Sequence, residues 1–204
     1  MTSSIYQDIL LDHPLKFVIL TSIRRISPTS FGGLYAVKQS HRGKVLEFEY
    51  GKGNGAHRRK GNFRCSEFRK RNGEPEGIQI VQIRASVLPA VINYDASVHG
   101  YDRSKIVTLT TSEQDSYSLA AVRNGTRRVC GYGCLKSNVQ GSLLVGPLYA
   151  DRADIAEELL RRLFDEFPGE YNGKITVGVI NCNSEAMELV KKLQLDIGQE
   201  VPRC

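Results

Sequence analysis

In the second half of the chain, apolar residues recur with two distinct periods. Tyr117-Ser118-Leu119-Ala120-Ala121-Val122-Arg123 reads as a strand. Asn124-Gly125 after it is a strong hairpin signal, because both residues tolerate positive φ. Arg127 to Leu135 is then the returning strand, and Ser142 to Leu148 a third, with Pro147 near its end. Near Asp151 the period becomes helical. Ile155, Ala156, Leu159, Leu160, Leu163 and Phe164 form one stripe, with Glu157, Arg161 and Asp165 off it. Pro168-Gly169 stops this helix. Lys174 to Ile180 is an almost continuous apolar run, as expected of a buried strand. Asn183-Ser184 then caps a last helix with Ala186, Met187, Leu189, Val190 and Leu193 on its apolar side. The order is helix, β, β, β, α, β, α.

The first half lacks this regularity. Val18-Ile19-Leu20 and Leu34 to Val37 fit strand or helix equally, Val45 to Tyr50 alternates in part and reads as a strand, and Ile78 to Ile83 reads as another. Between them, His57 to Arg71 holds seven Lys or Arg in fifteen residues. Charge separates the halves as well. Residues 1–90 carry 15 Lys and Arg against 7 Asp and Glu, and residues 91–204 carry 13 against 15. All the excess positive charge therefore lies in the first half, which points to different jobs or histories for the two parts.

No apolar run approaches the roughly 18 to 20 residues that span a bilayer. Met1-Thr2-Ser3-Ser4-Ile5 lacks the pattern of a secretory signal. Five cysteines (Cys65, Cys130, Cys134, Cys182 and Cys204) are odd in number and sparse, so reduced thiols and a cytoplasmic protein are expected. The four histidines show no metal-ligand spacing. Cys130 and Cys134, at i and i+4 of a strand, are expected on one side of it as small packed residues.

The β-β-β-α-β-α order is the core of the GNAT fold. Two segments carry a more specific resemblance: Tyr94-Asp95-Ala96-Ser97-Val98-His99-Gly100-Tyr101-Asp102-Arg103, and Val129-Cys130-Gly131-Tyr132-Gly133 through Gly146-Pro147-Leu148-Tyr149-Ala150-Asp151 to Ile155-Ala156. Together they resemble the YitH/HolE-type acetyltransferase (GNAT) domain over about residues 92–204. The resemblance implies an α/β fold, a mixed sheet flanked by helices, in residues 91–204. Residues 1–90 read as a divergent basic region, the remnant of a first GNAT domain. It also implies acetyl-CoA as co-substrate and direct attack of a small amine on the thioester.

That chemistry needs backbone N–H groups at a helix N-terminus for the pyrophosphate, a splayed pair of central strands for the pantetheine, and groups that move protons. The usual phosphate loop reads Gln/Arg-x-x-Gly-x-Gly/Ala. In the second half its positions hold Asp151, Asp154 and Ala156. Like charges about 4 Å apart repel by about 1 kcal/mol in water and more at a protein surface, so these carboxylates oppose a diphosphate. They suit the first turn of a helix instead. Tyr50-Gly51-Lys52-Gly53-Asn54-Gly55 matches the loop spacing except at Tyr50, which makes Gly51, Lys52, Gly53 and Gly55 the candidate phosphate contacts. A lone Gly-x-Gly is a weak signal, and a basic surface loop explains it equally.

Asn183 fits the family position on the cofactor side of the cleft. The tyrosine that often serves as acid toward the CoA thiolate would fall near Val190, and Gln194-Leu195 replaces the closing Gly-Phe. Tyr132 and Tyr149 are the phenols left to carry protons, with packed core tyrosines as the plain alternative. Arg103 is expected in an ion-pair network with Asp102 and Asp95. Three functions follow in order: an acetyl-CoA-dependent N-acetyltransferase, full or weakened; a non-catalytic GNAT-like binding or regulatory protein; and a basic nucleic-acid-associated module resting on residues 57–71 alone, which lack any named nucleic-acid motif.

Overall fold

The computed structural model describes residues 17–20, 45–50, 59–60, 74–171, 173–180 and 183–201. Among the described residues, three strands come from the first 60 positions: β1 (Phe17–Leu20), β2 (Val45–Tyr50) and β3 (Arg59–Lys60). Then follow β4 (Ile78–Gln82), α1 (Leu88–His99), α2 (Ser104–Ser112), β5 (Ser116–Arg123), β6 (Val129–Ser137) and β7 (Leu143–Ala150). The chain continues with α3 (Ala153–Glu166), β8 (Glu170–Tyr171), β9 (Ile175–Ile180), α4 (Ser184–Lys192) and β10 (Asp196–Val201).

Eight strands form one mixed sheet in the order β10-β2-β9-β1-β7-β6-β5-β4, and β3 pairs with β8 apart from it. The hairpin, the three successive antiparallel strands and the long amphipathic helix stand where the sequence periods put them. β7 and β9 run parallel, since the α3 crossover between them returns the chain in the same direction. β1 and β2, from the first half, are built into the same sheet as the later strands.

Helices cover both faces. α3 has no glycine or internal proline, and its stripe of Ile155, Leu159, Leu160 and Leu163 is fully buried with Leu148, Val177 and Val179 of the sheet. Each such leucine contributes about 1.5 to 3 kcal/mol of apolar burial. Ion pairs at helical spacing line the outer side, as in Arg161 with Asp165 at 2.9 Å. Pro168 ends the helix because the residue before a proline avoids the α conformation. On the other face α1 and α2 cover a smaller core of Val91, Tyr94, Val107, Ala120, Val129, Tyr132 and Tyr149. Pro89 opens α1, and Gly100, at φ 77°, closes it with its N–H on the Ala96 carbonyl at 2.8 Å.

Two irregularities in the ladders set the directions of the site residues. Between β5 and β6 the register slips at Cys130, so that β6 holds one extra residue there. This bulge overturns the expectation for the cysteines. Cys130 packs into the α3 core, whereas Cys134 points its Sγ to the Thr110 carbonyl of α2, 3.5 Å away, on the opposite face. Between β6 and β7 the register slips again, with Gly146 and Pro147 opposite Cys134 alone.

Candidate active site

β7 and β9 pair directly only from Leu143, Leu144 and Val145 to Ile175, Thr176 and Val177. Past the bulge at Gly146 and Pro147 they part, and the rest of β7 (Leu148, Tyr149 and Ala150) leaves β9. β7 and β9 therefore part at the sheet centre, at the end of β7 that leads into α3, and β1 lies between the parted stretches.

Beside this opening, under α1, lies a polar cluster inside an otherwise apolar core. Tyr132 and Tyr149 are register partners on β6 and β7, so their rings meet on the α1 face with centroids 5.5 Å apart. Gly131 makes that approach feasible. A Cβ there would stand 2.9 Å from the Tyr149 carbonyl oxygen and 3.2 Å from the Ala150 Cα. The Tyr132 hydroxyl donates to Asp95 Oδ2 at 2.5 Å, and both side chains are wholly buried. Arg103, just before α2, brings its Nε to 3.6 Å from Asp95 Oδ1 and donates from Nη1 to His99 Nε2. His99 stacks edge-on against Tyr149 at 5.1 Å. Tyr94, on the same helix, donates to Asp151 Oδ1 at 3.1 Å, which ties α1 to the end of β7.

Two polar atoms in the cluster lack a hydrogen-bond partner among the described residues, Asp95 Oδ1 and His99 Nδ1. Because Arg103 donates to Nε2, the His99 proton belongs on Nδ1. Burial, and then the Arg103 charge, pull the His99 pKa down to about 4, so its ring is neutral at pH 7. Burial pushes Asp95 above the usual carboxylate range, against the opposing pull of the Tyr132 hydroxyl and Arg103. Burial also raises the phenols of Tyr132 and Tyr149. Arg103 acts against this rise at both phenols, and Asp95 adds to it at both. Both tyrosines are thus protonated hydrogen-bond donors at neutral pH. Arg103 opposes the rise more strongly at Tyr149, where it is the first influence after burial, than at Tyr132, where it is the last.

The structure brings the two candidate phenols Tyr132 and Tyr149 together in a buried cluster and sets Arg103 beside Asp95, its expected partner. Asp102 departs from that expectation. It turns away to accept the Ser104 N–H at 2.8 Å and serves the start of α2. His99 joins the cluster without belonging to any expected catalytic or ion-pair set. Its signal was the i, i+4 spacing from Asp95, visible only once that segment is placed on a helix.

The phosphate candidates Gly51, Lys52, Gly53 and Gly55 lie outside the described residues. Asn183 is the N-cap of α4, and its side-chain oxygen accepts the Ala186 N–H at 3.0 Å. At the start of α3, Asp154 accepts its neighbour's Ile155 N–H at 2.9 Å and pairs with Arg152. A carboxylate thus already satisfies one of the amides a phosphate would use there. Val190 is a fully buried core residue. Among the described residues no cluster of His, Cys, Asp and Glu has the makings of a metal site, and no helix is long and apolar enough to cross a membrane.

Comparison with known proteins agrees with this geometry. The family model described as "Acetyltransferase (GNAT) domain" matches residues 91–204, more than half of the chain. No curated protein matches. Among solved structures, a tandem GNAT protein from the clavulanic acid biosynthesis pathway, solved without AcCoA, superposes with a TM-score of 0.53 at 12% identity, over 79% of this chain and 52% of that one. A Drosophila protein solved by X-ray crystallography superposes with a TM-score of 0.50 at 13% identity, over the same shares of 79% and 52%. At such identity the likeness is one of fold, and the chain spans about half the length of the structures it matches.

Proposed function

The chain belongs to the GNAT acetyltransferase family, and from that premise we propose that it is an acyl-CoA-dependent N-acyltransferase that moves an acetyl group from acetyl-CoA to a small amine. The observation that carries this reading is the parting of β7 and β9 at the sheet centre, directly beside the cluster of Tyr149, Tyr132, Asp95, His99 and Arg103. The parted strands present backbone N–H and C=O groups on two facing rims, and an extended arm bearing amides suits such rims when they are free.

In the transfer the neutral amine nitrogen attacks the thioester carbonyl carbon. A C–N bond forms, the C–S bond breaks, and the sulfur leaves as a thiolate that needs a proton. Tyr149 is the donor we assign. It is protonated at neutral pH, it lies on β7 at the opening, and Arg103 supports the phenolate left after donation. Asp95 acts through others, holding the Tyr132 hydroxyl and the Arg103 guanidinium in place. The amine's own proton passes to solvent.

The test is release of free thiol from acetyl-CoA in the presence of a panel of small primary amines. Wild-type chain should release thiol with at least one amine, and Tyr149→Phe should lower kcat by about 10²- to 10⁴-fold, the usual worth of a positioned acid. Equal rates would remove Tyr149 from the chemistry. Thiol release no faster than the blank with every amine would favour a second reading, a GNAT-like binding or regulatory domain. The observation in favour of that reading is the start of α3, where Asp154 occupies a backbone amide and Asp151 adds a second carboxylate.

A further inference from the structure

β1 lies in the opening that the acyl-CoA reading assigns to the thioester arm. On one side Phe17, Val18 and Ile19 pair antiparallel with Ala150, Tyr149 and Leu148 of β7. On the other, Ile19 and Leu20 pair with Val179 and Gly178 of β9. Neighbouring strands stand about 4.8 Å apart, so the gap between the diverged parts of β7 and β9 is one strand wide, and β1 fills it. The backbone groups along both rims of the gap are taken up by this four-residue segment.

The pantetheine arm of an acyl-CoA is itself an extended, strand-width chain with two secondary amides. It would need the same rim groups, and it is as narrow as the slot. The two occupants exclude each other. β1 is short and is gripped on both rims only through Ile19, which makes it a strand that can leave.

We propose that residues 17–20 are a self-inhibiting strand: they occupy the acyl-CoA slot between β7 and β9 and must withdraw before acyl-CoA binds. This rests on the acyl-CoA reading above. A chain whose competent state is populated only in fraction binds its ligand more weakly by that fraction, so loosening β1 should raise the affinity.

The experiment pairs amide hydrogen exchange with calorimetric titration of acetyl-CoA into the full chain, wild type and Ile19→Pro. Proline at the doubly paired position removes a ladder N–H and does not fit a central strand. The expected result is a Kd for acetyl-CoA at least about tenfold lower in the variant. In wild type, saturating acetyl-CoA should speed exchange at Phe17 to Leu20 and leave Leu148 to Ala150 protected. The proposal is overturned by equal affinities, or by acetyl-CoA binding to wild type while Phe17 to Leu20 stay protected, since the ligand then binds elsewhere. Absence of binding to both proteins, with β1 exchanging freely in the variant, overturns it differently, because the acyl-CoA reading itself has then failed. Where the variant does not fold, the wild-type exchange experiment decides alone.

Discussion

Tyr132 gives its hydroxyl to Asp95 at 2.5 Å, from β6 to α1, with no solvent reaching either side chain. Tyr132→Phe removes the donor and leaves a buried carboxylate oxygen facing a hydrocarbon ring. Leaving such a group unsatisfied costs about 1 to 3 kcal/mol. The Tyr132 hydroxyl also holds the Asp95 pKa down against burial, so its loss moves that pKa further upward. Denaturant melts of Tyr132→Phe should show the destabilisation at neutral pH, and the deficit should shrink in acid as Asp95 protonates. A deficit independent of pH would mean that the hydroxyl does not serve the Asp95 carboxylate.

His99 makes stability depend on pH in a second, opposite way. Its folded pKa is about 4 against an ordinary 6.5, so between these values the unfolded chain binds the proton and the folded chain does not. Stability from this group is complete above pH 6.5 and falls as the pH drops toward 4, by up to about 3 kcal/mol. Asp95, Arg103, Tyr101 and Tyr149 surround the ring. Of these, Asp95 opposes the loss, because its raised pKa lets the folded state take up a proton first. His99→Gln should flatten the slope between pH 6.5 and 4 in urea titrations. A slope unchanged in the variant would place the titrating group elsewhere.

Gly131 and Gly133 on β6 look interchangeable in sequence and differ in what an added methyl would meet. At Gly131 the obstacles are backbone, the Tyr149 carbonyl at 2.9 Å and the Ala150 Cα at 3.2 Å. At Gly133 they are the ends of two leucines, Leu148 at 2.8 Å and Leu163 at 3.0 Å. Overpacking costs typically 1 to 3 kcal/mol, and side-chain ends give way more readily than a strand. Gly131→Ala should therefore lower Tm more than Gly133→Ala and should alone shift the ring signals of Tyr132 and Tyr149 in NMR spectra. The reverse order would contradict the close approach of β6 and β7 at that point.

Asn183 has two competing roles that one pair of variants separates. As the α4 cap it accepts the Ala186 N–H, and Asn183→Ala should cost about 1 kcal/mol. Asn183→Ser keeps a capping oxygen and should restore most of that stability. If Asn183 also contacts the co-substrate, the serine variant will melt like wild type and still bind acetyl-CoA more weakly. Unchanged affinity in the serine variant would leave Asn183 with the cap alone.

The order of strands and helices in the second half was legible because each segment has one buried face and one repeating period. α3 is the clearest case, with six apolar positions on one stripe. Bulges leave no such mark. The slip at Cys130 reverses which way every later side chain on β6 points, so the opposed faces of Cys130 and Cys134 could not be read from their spacing. Glu158, a charged residue that the apolar stripe of α3 does not mark, is fully buried, with Arg161 as its partner at 2.9 Å. β10 went unread because Gly198 interrupts the alternation of Asp196 to Val201. For the candidate site, Tyr132, Tyr149, Arg103 and Asp95 were visible in the motifs. Their meeting depends on the α1 position and the register of β6 on β7, which are long-range facts. Val18-Ile19-Leu20 fits strand or helix equally by its sequence, and neither its strand form nor its place between β7 and β9 was legible.

Calorimetric titration of acetyl-CoA into the full wild-type chain shows whether the protein takes up an acyl-CoA at all. An acyl-CoA-dependent transferase should show saturable binding at one site, with a Kd in the range of about 1 μM to 1 mM usual for enzyme substrates. Absence of binding heat at millimolar acetyl-CoA, in both wild type and Ile19→Pro and with both proteins shown to be folded by circular dichroism, would contradict it.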